Sequence, residues 1–231
     1  MKVDAGDATR PPIRSYVLRA GRITRAQRRA LDELLPRWGL PFASAALDLD
    51  GVFGRPAPRV LEIGFGDGAT LVELAAQSPQ VDFIGIEVHP PGVGHCLLGI
   101  ESRGLTNVRV VVHDAVEVLQ AMIAPGSLDE VLLYFPDPWP KKRHHKRRIV
   151  QPAFAALVAS RLKQGGIFRL ATDWEPYADW MLEVLNAAPG LANAALNGRF
   201  IGKPDRGVTR FENRGRRLGH RVFDLEYRRT P

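Results

Sequence analysis

The sequence predicts an α/β fold: a single doubly wound, mostly parallel sheet with helices on both faces, preceded by a basic N-terminal arm. Three observations predict it. Apolar runs of strand length recur with helical segments between them, each run ends on a polar or acidic residue, and the first is followed at once by a glycine-rich turn that opens a helix. Strands and helices alternating in this way build parallel sheets whose ligand cleft lies outside the carboxyl ends of the strands.

Composition bounds the rest. A chain of 231 residues can bury the core of one α/β domain with extensions, or of two small domains. The net charge of +7 and the pI near 10.0 point to an anionic partner, nucleic acid or a membrane surface, without choosing between them. No apolar stretch reaches the roughly 18 residues that suggest a membrane span. The start, Met1 to Thr9, is polar with no hydrophobic segment behind it, so no signal peptide is expected either, and the protein is expected in the cytoplasm. One cysteine, Cys96, excludes an internal disulfide and reads as a small buried apolar residue. The six histidines show no paired-ligand spacing, so no metal site is predicted.

In chain order, residues 1–41 read as a flexible basic arm with a helix, and 42–231 as the main domain. Thr24 can cap a helix running through Leu35 to a break at Pro36, with Ala30, Leu31, Leu34 and Leu35 packed. Arg14, Arg19, Arg22, Arg25, Arg28 and Arg29 then face mostly outward, as a solvated face or an arm on nucleic acid. Beyond Pro56 and Pro58, Arg59 to Ile63 is a short strand, Gly64 to Gly68 a turn, and Ala69 to about Gln77 a helix. The second strand, Asp82 to Ile86, closes on Glu87; the third, Val108 to Val112, ends in His113 and Asp114; the fourth, Leu128 to Phe135, leads to Asp137. Pro152 suits the first turn of a helix carrying Phe154, Leu157, Val158 and Leu162 and stopping at Gly165 and Gly166, and Ile167 to Ala171 is strand five. Asp173 either caps the next helix or, standing at a strand end, faces the cleft. Thr209-Arg-Phe-Glu212 satisfies a capping box, and His220 to Arg228 alternates as a half-covered last strand does.

The stretch Tyr134-Phe-Pro-Asp-Pro-Trp-Pro-Lys-Lys-Arg-His-His-Lys-Arg-Arg148 sits at the end of the fourth strand. Its prolines bias Phe135, Asp137 and Trp139 toward extended conformations, which predicts a stiff loop. A carboxylate accepts from N–H groups, an indole stacks on flat rings and clustered cations hold phosphates, so together they describe a site for a base within a nucleic acid. Taken singly, the Asp is a turn residue, the Trp packing and the cations a solvated face.

Two readings compete for the glycine turn. Gly64-Phe-Gly-Asp-Gly-Ala69, with Glu87 some 20 residues on as a ribose acid, meets the loose dinucleotide pattern. A pyrophosphate at that helix N-terminus, however, would meet Asp67. Glu62, two residues before the first glycine, suits a ligand bearing an amine or a cation, and S-adenosylmethionine has an ammonium, a sulfonium and no phosphate. The acid-x-Gly-x-Gly-x-Gly spelling from Glu62 to Gly68 is also that of Rossmann-like methyltransferases.

These blocks, with Gly85-Ile-Glu-Val-His-Pro-Pro-Gly-Val-Gly94, His113-Asp-Ala-Val-Glu-Val-Leu119, Phe135-Pro-Asp-Pro-Trp-Pro-Lys141, Ala171-Thr-Asp-Trp-Glu-Pro-Tyr177 and Thr209-Arg-Phe-Glu212, resemble the bacterial tRNA (guanine-N7)-methyltransferases from about residue 13 to the end. The resemblance implies a Rossmann-like class I S-adenosylmethionine-dependent enzyme acting on guanosine 46 of the tRNA variable loop, as monomer or homodimer. It implies that Glu62, Gly64, Gly66, Gly68, Glu87, Asp114 and Asp137 line the cofactor and active site, with Asp137 catalytic. Lys141, Asp173, Thr209, Arg210, Phe211 and Glu212 correspond to substrate contacts. The long basic stretch after Trp139 and the Lys203-Pro-Asp-Arg-Gly approach to Thr209 depart from the family's pattern. Rival readings are methyl transfer to another RNA or to a protein, a nicotinamide-dependent oxidoreductase, and RNA binding without catalysis.

Overall fold

A computed structural model describes residues 13–17, 21–202 and 221–231. In chain order it contains α1 (Arg25–Arg29), a π turn (Ala30–Leu34), α2 (Leu35–Trp38), α3 (Leu49–Phe53), β1 (Arg59–Ile63), α4 (Ala69–Gln77), β2 (Asp82–Ile86), α5 (Pro90–Ser102), β3 (Val108–Val111), α6 (Ala115–Ala121) and β4 (Leu128–Tyr134). A 3₁₀ turn (Lys142–Arg147), α7 (Pro152–Arg161), β5 (Leu162–Thr172), α8 (Glu175–Asn186), β6 (Leu191–Asn193) and β7 (Phe223–Arg229) complete it.

The strands form one seven-stranded sheet in the order β3-β2-β1-β4-β5-β7-β6. The first five are parallel; β7 runs antiparallel to both β5 and β6. The direction of winding reverses between β1 and β4, and a doubly wound sheet opens its cleft there, over the carboxyl ends. Two apolar layers cover the sheet. Val60, Phe83, Val108 and Leu132 pack with α4 and α5 on one face, whereas Leu61, Ile84, Val131 and Leu170 pack with α6, α7 and α8 on the other. Alternation along β1 therefore turns Glu62 to the same side as Val60, under α5. At the opposite end of the sheet Arg59, buried, pairs with Asp82 at 2.7 Å and Asp50 at 2.8 Å, and Arg55 pairs with the same Asp82 at 2.6 Å.

The N-terminal helical stretch is part of this packing. Thr24 caps α1 with a full capping box through Gln27, and Ala30, Leu34 and Trp38 are buried in the α5 layer. Pro36 does not end it. The π turn before Pro36 shifts the bonding pattern where its ring cannot donate, and the chain turns on to Trp38, whose indole N–H donates to Leu105 O at 3.0 Å. Two other expectations shift. α7 ends at Arg161; Leu162 already pairs with Leu128 as the start of β5, and Gly165, at φ 76°, lies within that strand where its register with β4 shifts. Asp173 does not cap α8: the cap is Trp174, whose N–H donates to the Thr172 hydroxyl. The capping box at Thr209 lies outside the described residues.

Candidate active site

The glycine turn is shaped from both sides. Gly64, Gly66 and Gly68 all take positive φ, at 69°, 60° and 75°. At Gly68 no other residue fits, because a Cβ there would sit 2.4 Å from that of Cys96 on α5. Glu87, just past β2, fixes the turn from the ligand side. One of its oxygens accepts from Gly66 N at 2.8 Å and the other from Val88 N and His89 N at 2.7 and 3.0 Å.

Above the carboxyl ends of β1 and β4 lies a cavity of about 240 Å³. It brings together Glu62, Gly64, Gly66, Glu87 and Asp137 from the sequence reading, and adds Asp67, Thr70, His113, Tyr134, Ser15 and Tyr16. Four carboxylates line it and no lysine or arginine does, among the described residues. Glu62 is 3% exposed, and its Oε2 has no hydrogen-bond partner among the described residues. Burial, together with the nearby charges of Asp67 and Glu87, pushes its carboxyl up to about 8. A buried acceptor of this kind calls for a donor from a ligand. S-adenosylmethionine fits that wall through its ammonium, whereas a pyrophosphate would face four acids and no cation.

Asp137 stands exposed at the cavity rim on the loop after β4. The prolines do not leave this loop extended: Phe135 and Trp139 adopt φ of 51° and 45°, which costs side-chain-bearing residues of order 1–3 kcal/mol each. Three anchors hold them there. Phe135 N donates to Ala171 O at 2.8 Å, Trp139 Nε1 to Ser15 O at 3.0 Å, and Arg148 Nε to Pro138 O at 3.0 Å. Trp139 is thus a buttress, with the Arg147 guanidinium 4.1 Å above its ring and His144 at its edge.

The basic run divides by role. Lys141, Lys142, Arg143 and Lys146 are exposed, while Arg148 is 3% exposed and lies over Tyr177 and Trp180. Arg147 donates to the carbonyls of Arg14 and Tyr16. Asp114 lies just outside the cavity wall formed by its neighbours His113 and Ala115; one of its oxygens caps α6 through Val116 N, and the other accepts from Arg14 at 2.6 Å. Neither Lys141 nor Asp173 lines the cavity, and residues 209–212 lie outside the described residues. Sequence reasoning missed Ser15, Tyr16, His113 and Arg147. Ser15 and Tyr16 reach this site only through contacts to Trp139 and Arg147, 124 and 131 positions away in the chain.

A family model described as "Putative methyltransferase" matches residues 56–225. A curated tRNA (guanine-N(7)-)-methyltransferase of Photobacterium profundum is 59% identical over 94% of this chain and 89% of its own length. The enzyme of the same name from Stutzerimonas stutzeri is 58% identical over 96% of this chain and 94% of its own. The chain belongs to the tRNA (guanine-N(7)-)-methyltransferase family. Among solved structures, the 16S rRNA methyltransferase KamB shares the fold with a TM-score of 0.57 at 16% identity, over 80% of this chain and 95% of that one. A 16S rRNA (adenine(1408)-N(1))-methyltransferase from Catenulisporales acidiphilia, solved with cosubstrate SAM, gives 0.54 at 18% identity, over 81% and 93%. Family membership and the sheet order together make this a Rossmann-like class I methyltransferase dependent on S-adenosylmethionine. None of the described helices is long and apolar enough to cross a membrane, and the described residues contain no cluster able to hold a metal ion.

Proposed function

We propose that the protein transfers a methyl group from S-adenosylmethionine to N7 of guanosine 46 in the variable loop of tRNA. The observation that carries the reading is an acid-lined cavity with one unpartnered buried carboxylate oxygen, in a chain nearly 60% identical to enzymes of that name. Bound there, S-adenosylmethionine supplies an electrophilic methyl on a sulfonium. Glu62 would accept from its ammonium and Glu87 from its ribose; Asp114, one residue from the wall, is the further cofactor contact that family resemblance implies.

Guanine N7 carries an in-plane lone pair and no proton, so no base is needed to make the nucleophile. The residues' task is to align the ring and favour the positive charge it gains, and positioning can supply about 7–11 kcal/mol. Asp137, accepting from guanine N1–H and the amino group, would select guanine by its donors and hold it more strongly as the ring becomes cationic. Lys141, Asp173 and residues 209–212 are the proposed substrate contacts, with the exposed lysines and Arg143 on phosphates.

The experiment is incubation with unmodified tRNA and methyl-labelled S-adenosylmethionine, then nucleoside analysis and mapping of the label. 7-Methylguanosine at position 46 is expected. Label at another base, or none, overturns the reading.

A further inference from the structure

The described residues 13–17 lie against the cavity, and their hydrogen bonds reach partners 100 to 133 positions away in the chain. Two of them, Ser15 and Tyr16, form part of its wall. The segment is tied down on both sides. On one, Arg14 Nη1 donates to Asp114 at 2.6 Å and Glu117 at 2.7 Å, and Glu117 also holds His113, another wall residue, at 2.5 Å. On the other, Arg147 donates to the carbonyls of Arg14 at 3.1 Å and Tyr16 at 3.0 Å, and Trp139 donates to Ser15 O at 3.0 Å.

These contacts reassign residues that charge alone gives to RNA. Arg147 sits in the basic run, yet its donors point at backbone carbonyls and its face lies on Trp139. Arg14 sits in the basic arm, yet its charge is spent on two acids. We infer that Arg14, Trp139 and Arg147 are positioning residues that latch this strap across the methyl-donor cavity, so that the donor is retained by Tyr16 and Ser15 before any RNA is bound. The inference rests on the methyltransferase reading, since it takes S-adenosylmethionine as the cavity's ligand. It goes beyond that reading in giving part of the basic loop to the donor rather than to tRNA. Because the same loop carries Asp137, disturbing the latch disturbs both ends of the site.

The test is binding and dissociation of S-adenosylhomocysteine without RNA, by calorimetry and stopped flow, on the full-length protein. Arg147→Ala and Arg14→Ala should each speed dissociation and weaken binding roughly tenfold or more, the scale of a lost charge-assisted hydrogen bond. The double variant should lose little more than either single one, because both hold the same five residues. Arg14→Lys, which keeps a donor for the two acids, should recover most of the loss while melting temperature stays near that of the wild type in every variant. Unchanged S-adenosylhomocysteine kinetics with weakened tRNA binding would overturn the latch and return both arginines to the RNA surface. Loss of binding matched by loss of melting temperature would overturn it in favour of plain scaffolding. A wild-type protein that binds no S-adenosylhomocysteine overturns the methyltransferase reading itself, a result distinct from the other two.

Discussion

Replacing Glu62 by Gln probes the cavity most directly. In the ligand-free protein the Glu62 carboxyl is raised from 4.5 to about 8, so at neutral pH it holds a proton in the folded state that the unfolded chain would have released. At about 1.4 kcal/mol per tenfold, forcing it to ionise without a partner costs on the order of 5 kcal/mol. The folded state binds the proton more tightly, so this group costs no stability below about pH 4.5. The cost grows as pH rises toward 8 and is constant above it. A ligand ammonium reverses the preference, because only the carboxylate pairs with it. Donor binding at pH 7 should therefore release close to one proton, and affinity should improve about tenfold from pH 6 to pH 7, where an α-amino group stays charged. Calorimetry in buffers of different ionisation enthalpy counts the proton. Glu62→Gln should release none, bind the donor more weakly with a flat pH profile between 6 and 7, and lose the decline of ligand-free melting temperature between about pH 5 and 8. A wild-type protein that binds the donor with no proton release and the same affinity at both pH values would refute the assignment of Glu62 to the ammonium.

Asp137→Asn should lower turnover about a hundredfold while leaving donor affinity within a factor of two, read from single-turnover and binding data; a cation-stabilising carboxylate works chiefly in the transition state. Gly68→Ala combines a φ of 75° with a Cβ 2.4 Å from Cys96, so it should cost about 2–4 kcal/mol in urea unfolding. If the exposed cations and the arm neutralise about six phosphates, tRNA affinity should fall roughly a thousandfold between 50 and 200 mM salt. Charge-removing changes at Lys141, Lys142, Arg143 and Lys146 should flatten that slope, and changes at the buried Arg148 should instead loosen the loop by freeing Pro138.

The parallel half of the fold was legible because its signals are local. A buried parallel strand is a short apolar run, and β1, β2 and β4 each announce themselves by one, followed by a glycine turn, an acid and a proline respectively. Glu62 could be assigned for the same reason: a carboxylate two residues before a glycine turn has no use as packing. What escaped was set by contacts distant in sequence. Phe135 and Trp139 take left-handed φ against the pull of the following prolines because Ala171, Ser15 and Arg148 grip the loop from elsewhere. The helix passes Pro36 because a π turn precedes it, a device without a composition signature. Leu162 reads equally well as the last apolar position of a helix or the first of a strand, and only its pairing with Leu128 decides. A run of cations likewise does not say which of them face solvent; Arg147 and Arg148 are held by carbonyls and aromatic rings brought in from elsewhere, whereas Lys146 is exposed.

The residues nearest the C-terminus form β7, which lies inside the sheet between β5 and β6. β7 follows both of its neighbours in the chain, so a nascent chain leaves a slot open until Phe223–Arg229 clear the ribosome. Until then β5 presents an unzipped edge, the kind of surface on which chains associate wrongly. Deleting Phe223 to Pro231 removes that interior strand, and should appear as poor soluble yield rather than as an altered substrate preference.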